Sequence, residues 1–363
     1  MNLTEQQIRA AIGGIKDPDL GLTLNELDAI EVVSVEETKV RIKLRLIQPI
    51  FWVVRPINEL CVAELRKLDP NGIYEIVVTE KEYPVPQRQV LNGVRNIIAV
   101  ASGKGGVGKS SVAANLAAAL SLRGAKVGIL DGDVYGPSQP TMFGLTNAKL
   151  DAVQTPDGQV LAKPVSKFGI DVASMGFIME KEDAVIVRGP MLAGYFSMLF
   201  EQIYWGNLDF LVFDLPPGTG DIQLTLTQKI PLTGAVVITT PQEIAVADVR
   251  RSVAMFRKVN VDVLGIVENM SYFVPDDMPE KRYNIFGEGG GKAISEESNV
   301  DFLGQIPITM EMREANDGGI PMVIKNQEAA TSKAIIEITD QIVAKVRRKN
   351  YDLSKTPSLT ISI

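Results

Sequence analysis

The sequence predicts an α/β fold, with a mostly parallel sheet flanked by helices and preceded by a small α+β domain. Three observations carry this reading. From about residue 95 to 350, short apolar runs alternate with helical stretches, the pattern of a parallel sheet covered on both faces. Within that region Gly103-Lys104-Gly105-Gly106-Val107-Gly108-Lys109-Ser110 fills the pattern G-x-x-x-x-G-K-[ST] between a strand and a helix. Ahead of it, residues 1 to about 80 hold a self-contained set of two helices and three strands.

In chain order, Thr4 to Ile12 has helical spacing, with Thr4 placed to cap it. Ala29 to Val35 and Lys39 to Ile47 alternate as strands. Pro56 to Leu68 is helical, with proline in its first turn. Asp69-Pro70-Asn71-Gly72 is a turn, and Ile73 to Thr79 is a last strand. The divisions expected are a small domain over 1–80, a proline-bearing linker over 81–94, the main domain over 95–350 and a tail over 351–363. In the main domain the strands are Ile97–Ala101, Val127–Leu130, Phe210–Phe213, Ala235–Thr239 and Val263–Val267. Their polar or glycine-rich ends belong on one edge of the sheet, where such folds bind ligands. Ala334 to Val346 is a helix with an apolar face. The cations Lys345, Arg347, Arg348 and Lys349 at its end suit a terminal helix packed on the sheet, complementing the helix dipole; a membrane-surface helix is the other reading.

Composition narrows the chemistry. The 363 residues are 45% hydrophobic and 22% charged, with a net charge of −7 and a pI near 5.0. That balance argues against a general nucleic-acid or anionic-membrane surface. No apolar run is long enough to span a bilayer and no charged-then-apolar leader opens the chain, so a cytoplasmic location is expected. There is no histidine, which removes the commonest general base and metal ligand. The one cysteine, Cys61, sits in an apolar helical repeat and reads as a small core residue.

The glycine-rich segment aims backbone N–H groups at the positive end of the helix from Ser111 to Leu122. Gly103, Gly105, Gly106, Val107 and Gly108 therefore read as a phosphate cradle, with Lys104 and Ser111 in the same nucleotide site. Lys109 would reach the β- and γ-phosphates of ATP, and the Ser110 hydroxyl would ligate Mg²⁺. Asp131 and Asp133 end the Val127–Leu130 strand. Asp131 suits the Mg²⁺ shell, and with no histidine present Asp133 is the carboxylate to position an attacking water. Asp214 ends a second apolar strand as a further Mg²⁺-organising carboxylate. The loop after it, Leu215 to Asp221, has the prolines and glycines of a segment that responds to the γ-phosphate. Asn269 offers a donor and an acceptor that could read an adenine edge, or serves as an ordinary turn residue.

These motifs together resemble the deviant-Walker-A ATPases, the class that includes MinD, ParA and the Mrp/ApbC proteins. Asp131-Gly132-Asp133-Val134-Tyr135-Gly136-Pro137-Ser138, Arg188-Gly189-Pro190-Met191, Asp214 to Asp221 and Glu268-Asn269-Met270-Ser271-Tyr272-Phe273 look specifically like Mrp/ApbC. The first 80 residues resemble the small domain that precedes the ATPase in bacterial Mrp proteins. The resemblance implies a homodimeric P-loop ATPase that takes part in iron–sulfur cluster assembly or delivery to apoprotein clients; the acidic charge balance adds the expectation of no nucleic-acid or membrane partner. It also implies that Lys104 is the signature lysine that reaches the partner's nucleotide, where a cation would neutralise charge developing in phosphoryl transfer. The chain departs from the family in two places. Mrp proteins commonly carry Cys-x-x-Cys shortly after Asn-Met-Ser-Tyr-Phe; here Val274-Pro275-Asp276-Asp277-Met278-Pro279 stands there. Phe51-Trp52 occupy the place of the small domain's usual cysteine and proline. The ligands of an iron–sulfur cluster are thus left unassigned, which keeps open an adaptor ATPase that recruits clients without ligating a cluster. A positioning ATPase like MinD or ParA is the third reading, and the acidic pI argues against it.

Overall fold

The computed structural model describes residues 3–35, 39–81, 83, 90–178, 189–275 and 277–355. It divides into two compact units, Met1–Pro86 with Val343–Ile363, and Gln87–Ile342.

The smaller unit contains α1 (Glu5–Gly13), β1 (Ile30–Val35), β2 (Lys39–Ile47), α2 (Val54–Leu68) and β3 (Ile73–Lys81). Thr4 caps α1 in a complete capping box, its hydroxyl accepting from the N–H of Gln7 while the Gln7 side chain accepts from the N–H of Thr4. The three strands run in the order β1-β2-β3, the first pair antiparallel and the second parallel. Alternation along β2 puts Val40, Ile42, Leu44 and Leu46 on the buried face. Against that face α2 buries Ile57, Cys61 and Leu65, four residues apart and so on one stripe.

The last helix, Ala330–Lys355, is longer than its apolar pattern predicts, and its part from Val343 onward belongs with the smaller unit. This corrects the reading of its cations as dipole-complementing charges at a helix end. Arg347 lies more than two turns before the terminus and is fully buried. Its guanidinium donates to both oxygens of Asp17 at 2.7 and 2.9 Å, to Asp19 at 2.6 Å and to the carbonyl of Ile47 at 3.2 Å. The Trp52 ring nitrogen donates to the same Asp19 oxygen at 3.3 Å. Phe51 and Trp52 are both half-buried.

The larger unit opens with β4 (Val94–Ala101), α3 (Lys109–Leu122), β5 (Val127–Asp131) and α4 (Gln139–Met142). Next come the short strands β6 (Asp151–Gln154), β7 (Val160–Lys163), β8 (Val165–Lys167) and β9 (Ile170–Ser174). The alternation then resumes with α5 (Gly189–Glu201), β10 (Leu208–Asp214), α6 (Asp221–Lys229), β11 (Gly234–Thr239), α7 (Glu243–Lys258) and β12 (Val263–Glu268). It closes with α8 (Gly290–Glu297), β13 (Phe302–Gln305), α9 (Met310–Asp317) and α10 (Met322–Lys325). Among the described residues, eight strands form one sheet in the order β13-β12-β11-β4-β10-β5-β9-β8. All neighbours are parallel except β8, which returns antiparallel to β9; β6 and β7 pair apart as a hairpin.

Every residue of β10 and β11 is buried, which is why these strands read as continuous apolar runs. Helix α3 is buried on almost every side, and its run of alanines lets neighbours approach closely. The register then sets the site. Asp214 of β10 lies level with Asp131 of β5 on one side and with Val100 of β4 on the other. The carboxyl ends of three adjacent central strands therefore meet at one place on the sheet edge. Among the described residues, no helix is long and apolar enough to cross a membrane.

Candidate functional site

The glycine-rich loop joins β4 to α3 and has the backbone its sequence requires. Gly106 and Gly108 have φ of 81° and 79°, the left-handed region where a side chain is strained. A Cβ added at Gly103 would collide with Asp248 of α7, and one at Gly108 with the side-chain amide of Asn269. Gly108 is the N-cap of α3, so the unsatisfied N–H groups of the helix's first turn adjoin the loop. An anion is the natural partner of such an end.

Lys109 is 6% exposed, and its ammonium bonds Asp214 Oδ1 and, at 3.1 Å, the Ser110 hydroxyl. Asp214 has no exposed surface. Its second oxygen accepts from the side chain of Gln139 at 2.8 Å, and the same amide donates to the Ser110 carbonyl at 3.1 Å. Lys109 and Ser110, adjacent in the chain, thus meet Asp214, 105 residues further on. Gln139 is a member that the reading missed: one glutamine after Asp131-Gly132-Asp133 carries no signal until the loop folds back.

Asp131 is also fully buried. Its Oδ1 accepts from the N–H of Asp133 at 3.1 Å; its Oδ2 accepts from the N–H groups of Ser138 and Gln139 at 2.9 and 3.0 Å and from the Ser174 hydroxyl at 3.1 Å. The carboxylate expected in the Mg²⁺ shell thus organises the loop that carries Asp133. Burial, and next the negative charge of Asp214, push the Asp131 carboxyl up to about 7, against the N–H groups of Gln139 and Asp133 and the charge of Lys109. Asp133 is half-buried, and its Oδ1 accepts from the N–H of Gly136 at 3.1 Å. It lines a cavity of about 670 Å³ together with Val134, Tyr135, Phe196, Pro216 and Ile222. The loop after β10 therefore forms one wall of the space beside Asp133. It is tied to the glycine-rich loop by the N–H of Gly218, which donates to the Ser102 carbonyl at 3.1 Å.

Three further residues take definite places. Lys104 is half-buried, with its ammonium 3.4 Å from Gln242 Oε1, and the Ser102 hydroxyl donates to its carbonyl at 2.9 Å. Asn269 is 5% exposed and donates its side-chain N–H to the Val107 carbonyl at 2.9 Å. One of the amide's two N–H groups therefore supports the glycine-rich loop. The Ser111 hydroxyl bonds the Asn316 amide of α9, on the helix side of the loop. Arg188 of the Arg188–Met191 motif and Asp276 of the segment after Phe273 lie outside the described residues. What is described beyond Phe273 is a turn closed by backbone bonds between Phe273 and Tyr283, with the Arg282 guanidinium 3.8 Å over the Tyr272 ring.

Cys61 has no exposed surface, and burial pushes its thiol up to about 12. Among the described residues, no group of three or more Cys, Asp or Glu side chains is arranged to hold a metal ion.

Known proteins share this chain's sequence pattern and fold. Residues 93–343 match the family model described as a NUBPL iron-transfer P-loop NTPase, and residues 5–72 match one described as an iron–sulfur cluster assembly protein. The iron–sulfur cluster carrier protein of Synechocystis is 45% identical over 347 residues, 95% of this chain and 98% of that protein. The protein of the same description from Escherichia coli K12 is 40% identical over 353 residues, 94% and 93% of the two chains. Among solved structures, a nucleotide-binding protein of Archaeoglobus fulgidus in complex with ADP is 38% identical, with a TM-score of 0.56 over 64% of this chain and 89% of that one. The MinD cell-division ATPase of Pyrococcus furiosus, 21% identical, shares the fold with a TM-score of 0.50 over 68% of this chain and 98% of its own. The phosphate cradle and two matching family models over the two regions of the chain lead to one assignment: this chain belongs to the NUBPL-type iron-transfer P-loop NTPases, the family of the iron–sulfur cluster carrier proteins.

Proposed function

We propose that this chain is a Mg²⁺-dependent ATPase, active as a homodimer, that serves iron–sulfur cluster assembly or delivery to apoproteins. The observation that carries the ATPase reading is the meeting of Lys109, Ser110 and Asp214 beneath a glycine loop that has no room for a side chain at Gly103 or Gly108. The loop N–H groups and Lys109 would bind the phosphates. The Ser110 hydroxyl and the Asp214 carboxylate are hard oxygen donors of the kind Mg²⁺ takes, and they would hold it. When bound, the ion supplies charge neutralisation across the β- and γ-phosphate oxygens. Lys109 and Asp214 bond one another across a buried pair, so phosphate binding by Lys109 removes the cation beside Asp214. A buried carboxylate without a partner is costly, which favours a divalent ion in the lysine's place. Asp133, on the loop that Asp131 braces, orients the attacking water. Lys104, with Gln242 as its described side-chain partner, completes the site of the second copy. Lys109→Ala should abolish ATP binding measured by equilibrium dialysis; binding at wild-type affinity would overturn the site assignment.

Cluster handling admits a second reading, favoured by Cys61. Thiolates are the ordinary cluster ligands, and this chain has one cysteine, fully buried with a raised pKa, and no histidine. The residues present do not fit a cluster ligated by the chain's own thiolates. In this reading the protein acts as an ATP-driven adaptor, and the thiolates belong to its clients. Anaerobic reconstitution with ferrous iron and sulfide separates the two. The adaptor reading expects no chromophore retained after desalting, and a stable, stoichiometric cluster on the purified chain would remove it.

A further inference from the structure

Gln139 opens the short helix α4 and has no exposed surface. Its side-chain nitrogen faces two acceptors, Asp214 Oδ2 and the Ser110 carbonyl, so the amide's orientation is fixed by the chemistry of its partners. Its backbone N–H donates to Asp131 at 3.0 Å. One residue therefore ties the end of β10, the first turn of α3 and the loop after β5. Its side-chain carbonyl, Oε1, is buried and has no hydrogen-bond partner among the described residues. A buried amide oxygen left in that condition is destabilising, so the site has room in its chemistry for a donor that the described protein atoms do not supply.

The choice of an amide is informative. Gln139 holds one oxygen of Asp214 while Lys109 holds the other. A lysine or arginine in its place would neutralise Asp214 and compete with a divalent cation. A glutamate would add a third carboxylate beside Asp131 and Asp214. A neutral donor fixes the direction of the carboxylate and leaves its charge intact. Mg²⁺ dehydrates reluctantly and keeps several waters, which are strong donors.

We propose that Gln139 is the positioning residue of the divalent-cation site, fixing Asp214 through Oδ2 and offering Oε1 to a water of the cation's shell. This rests on the reading of Ser110 and Asp214 as the metal-holding pair. It goes beyond that reading by assigning a residue that touches neither phosphate nor the ion.

The test uses the full chain, with Mn²⁺ as a paramagnetic probe and ADP as the nucleotide. Gln139→Met preserves most of the side-chain volume, and Gln139→Leu is a second variant should the first fail to fold. The expected result is ADP affinity in EDTA within about twofold of wild type, with Mn²⁺ affinity of the ADP complex reduced roughly tenfold, the loss expected for one hydrogen bond to a charged group. Mn²⁺ affinity unchanged in a folded variant would overturn the proposal. So would a loss of metal-free ADP affinity as large as the loss for Mn²⁺, which marks a general packing role. A wild-type ADP complex that holds no Mn²⁺ is a different result: it overturns the reading of Ser110 and Asp214, and this inference with it.

Discussion

At the scale of single residues, the proposed roles of the two loop lysines divide between binding and turnover. Lys109 is buried against Asp214, and its proposed role is binding. Lys104 is half-buried and leans on the neutral Gln242, so its charge is not spent on a carboxylate among its described contacts. Lys104→Ala should leave ATP affinity within about threefold and cut turnover by about 10²-fold or more, the scale for losing one preorganised charge on a developing anion. Steady-state hydrolysis beside nucleotide binding checks this, and wild-type turnover would exclude the cross-subunit role. Asp133→Ala should slow hydrolysis by about 10²-fold while ATP-dependent dimers persist in sedimentation, since positioned proton acceptors contribute about 10²–10⁴. Unchanged turnover would remove Asp133 from the water-positioning role. Asn269 has a contact that its place at a strand end does not announce: one of its two amide N–H groups donates to the Val107 carbonyl.

At the scale of elements, local sequence and tertiary demand agree in some places and part in others. Helix α1 is specified by its own first turn, where Thr4 and Gln7 satisfy each other's N–H groups. Thr4→Ala should cost about 1 kcal/mol, read as a shift in the denaturant midpoint of the smaller unit; no shift would mean that packing of Ile8 and Ile12 alone holds the helix. Strands β4, β5, β10, β11 and β12 were legible because burial on both faces makes each an unbroken apolar run. Strands β6, β7 and β8 were not, since they run three or four residues with mostly exposed or half-exposed side chains. They form by pairing with β7, β6 and β9, information that no local window holds.

At the scale of the whole molecule, the chain's two ends build one unit. Arg347, some 330 residues from Asp17, is buried with two carboxylates and no other described cation bonded to them. Removing it would leave Asp17 and Asp19 facing each other in a site where burial already raises the Asp19 carboxyl. Arg347→Met should destabilise the smaller unit by about 3–5 kcal/mol, the usual cost of breaking a buried ion pair from one side. Denaturant unfolding followed by Trp52 fluorescence, in a Trp205→Phe background, would measure it; a loss under about 1 kcal/mol would mean that the cluster relaxes into water.

The amino-acid sequence by itself determined that a glycine-rich loop of the phosphate-binding pattern stands between a strand and a helix, that Asp131 and Asp214 each end an apolar strand, and that the chain carries a single cysteine. These are local matters, set by glycine's backbone freedom, by apolar periodicity and by counting. Tertiary structure alone decided that Asp131 braces a loop, that Gln139 grips Asp214 and that Arg347 closes the smaller unit. Each depends on residues distant in sequence meeting out of water, where a polar side chain must find a partner. Which partner it finds is set by strand register and chain reversal, not by its neighbours in the chain.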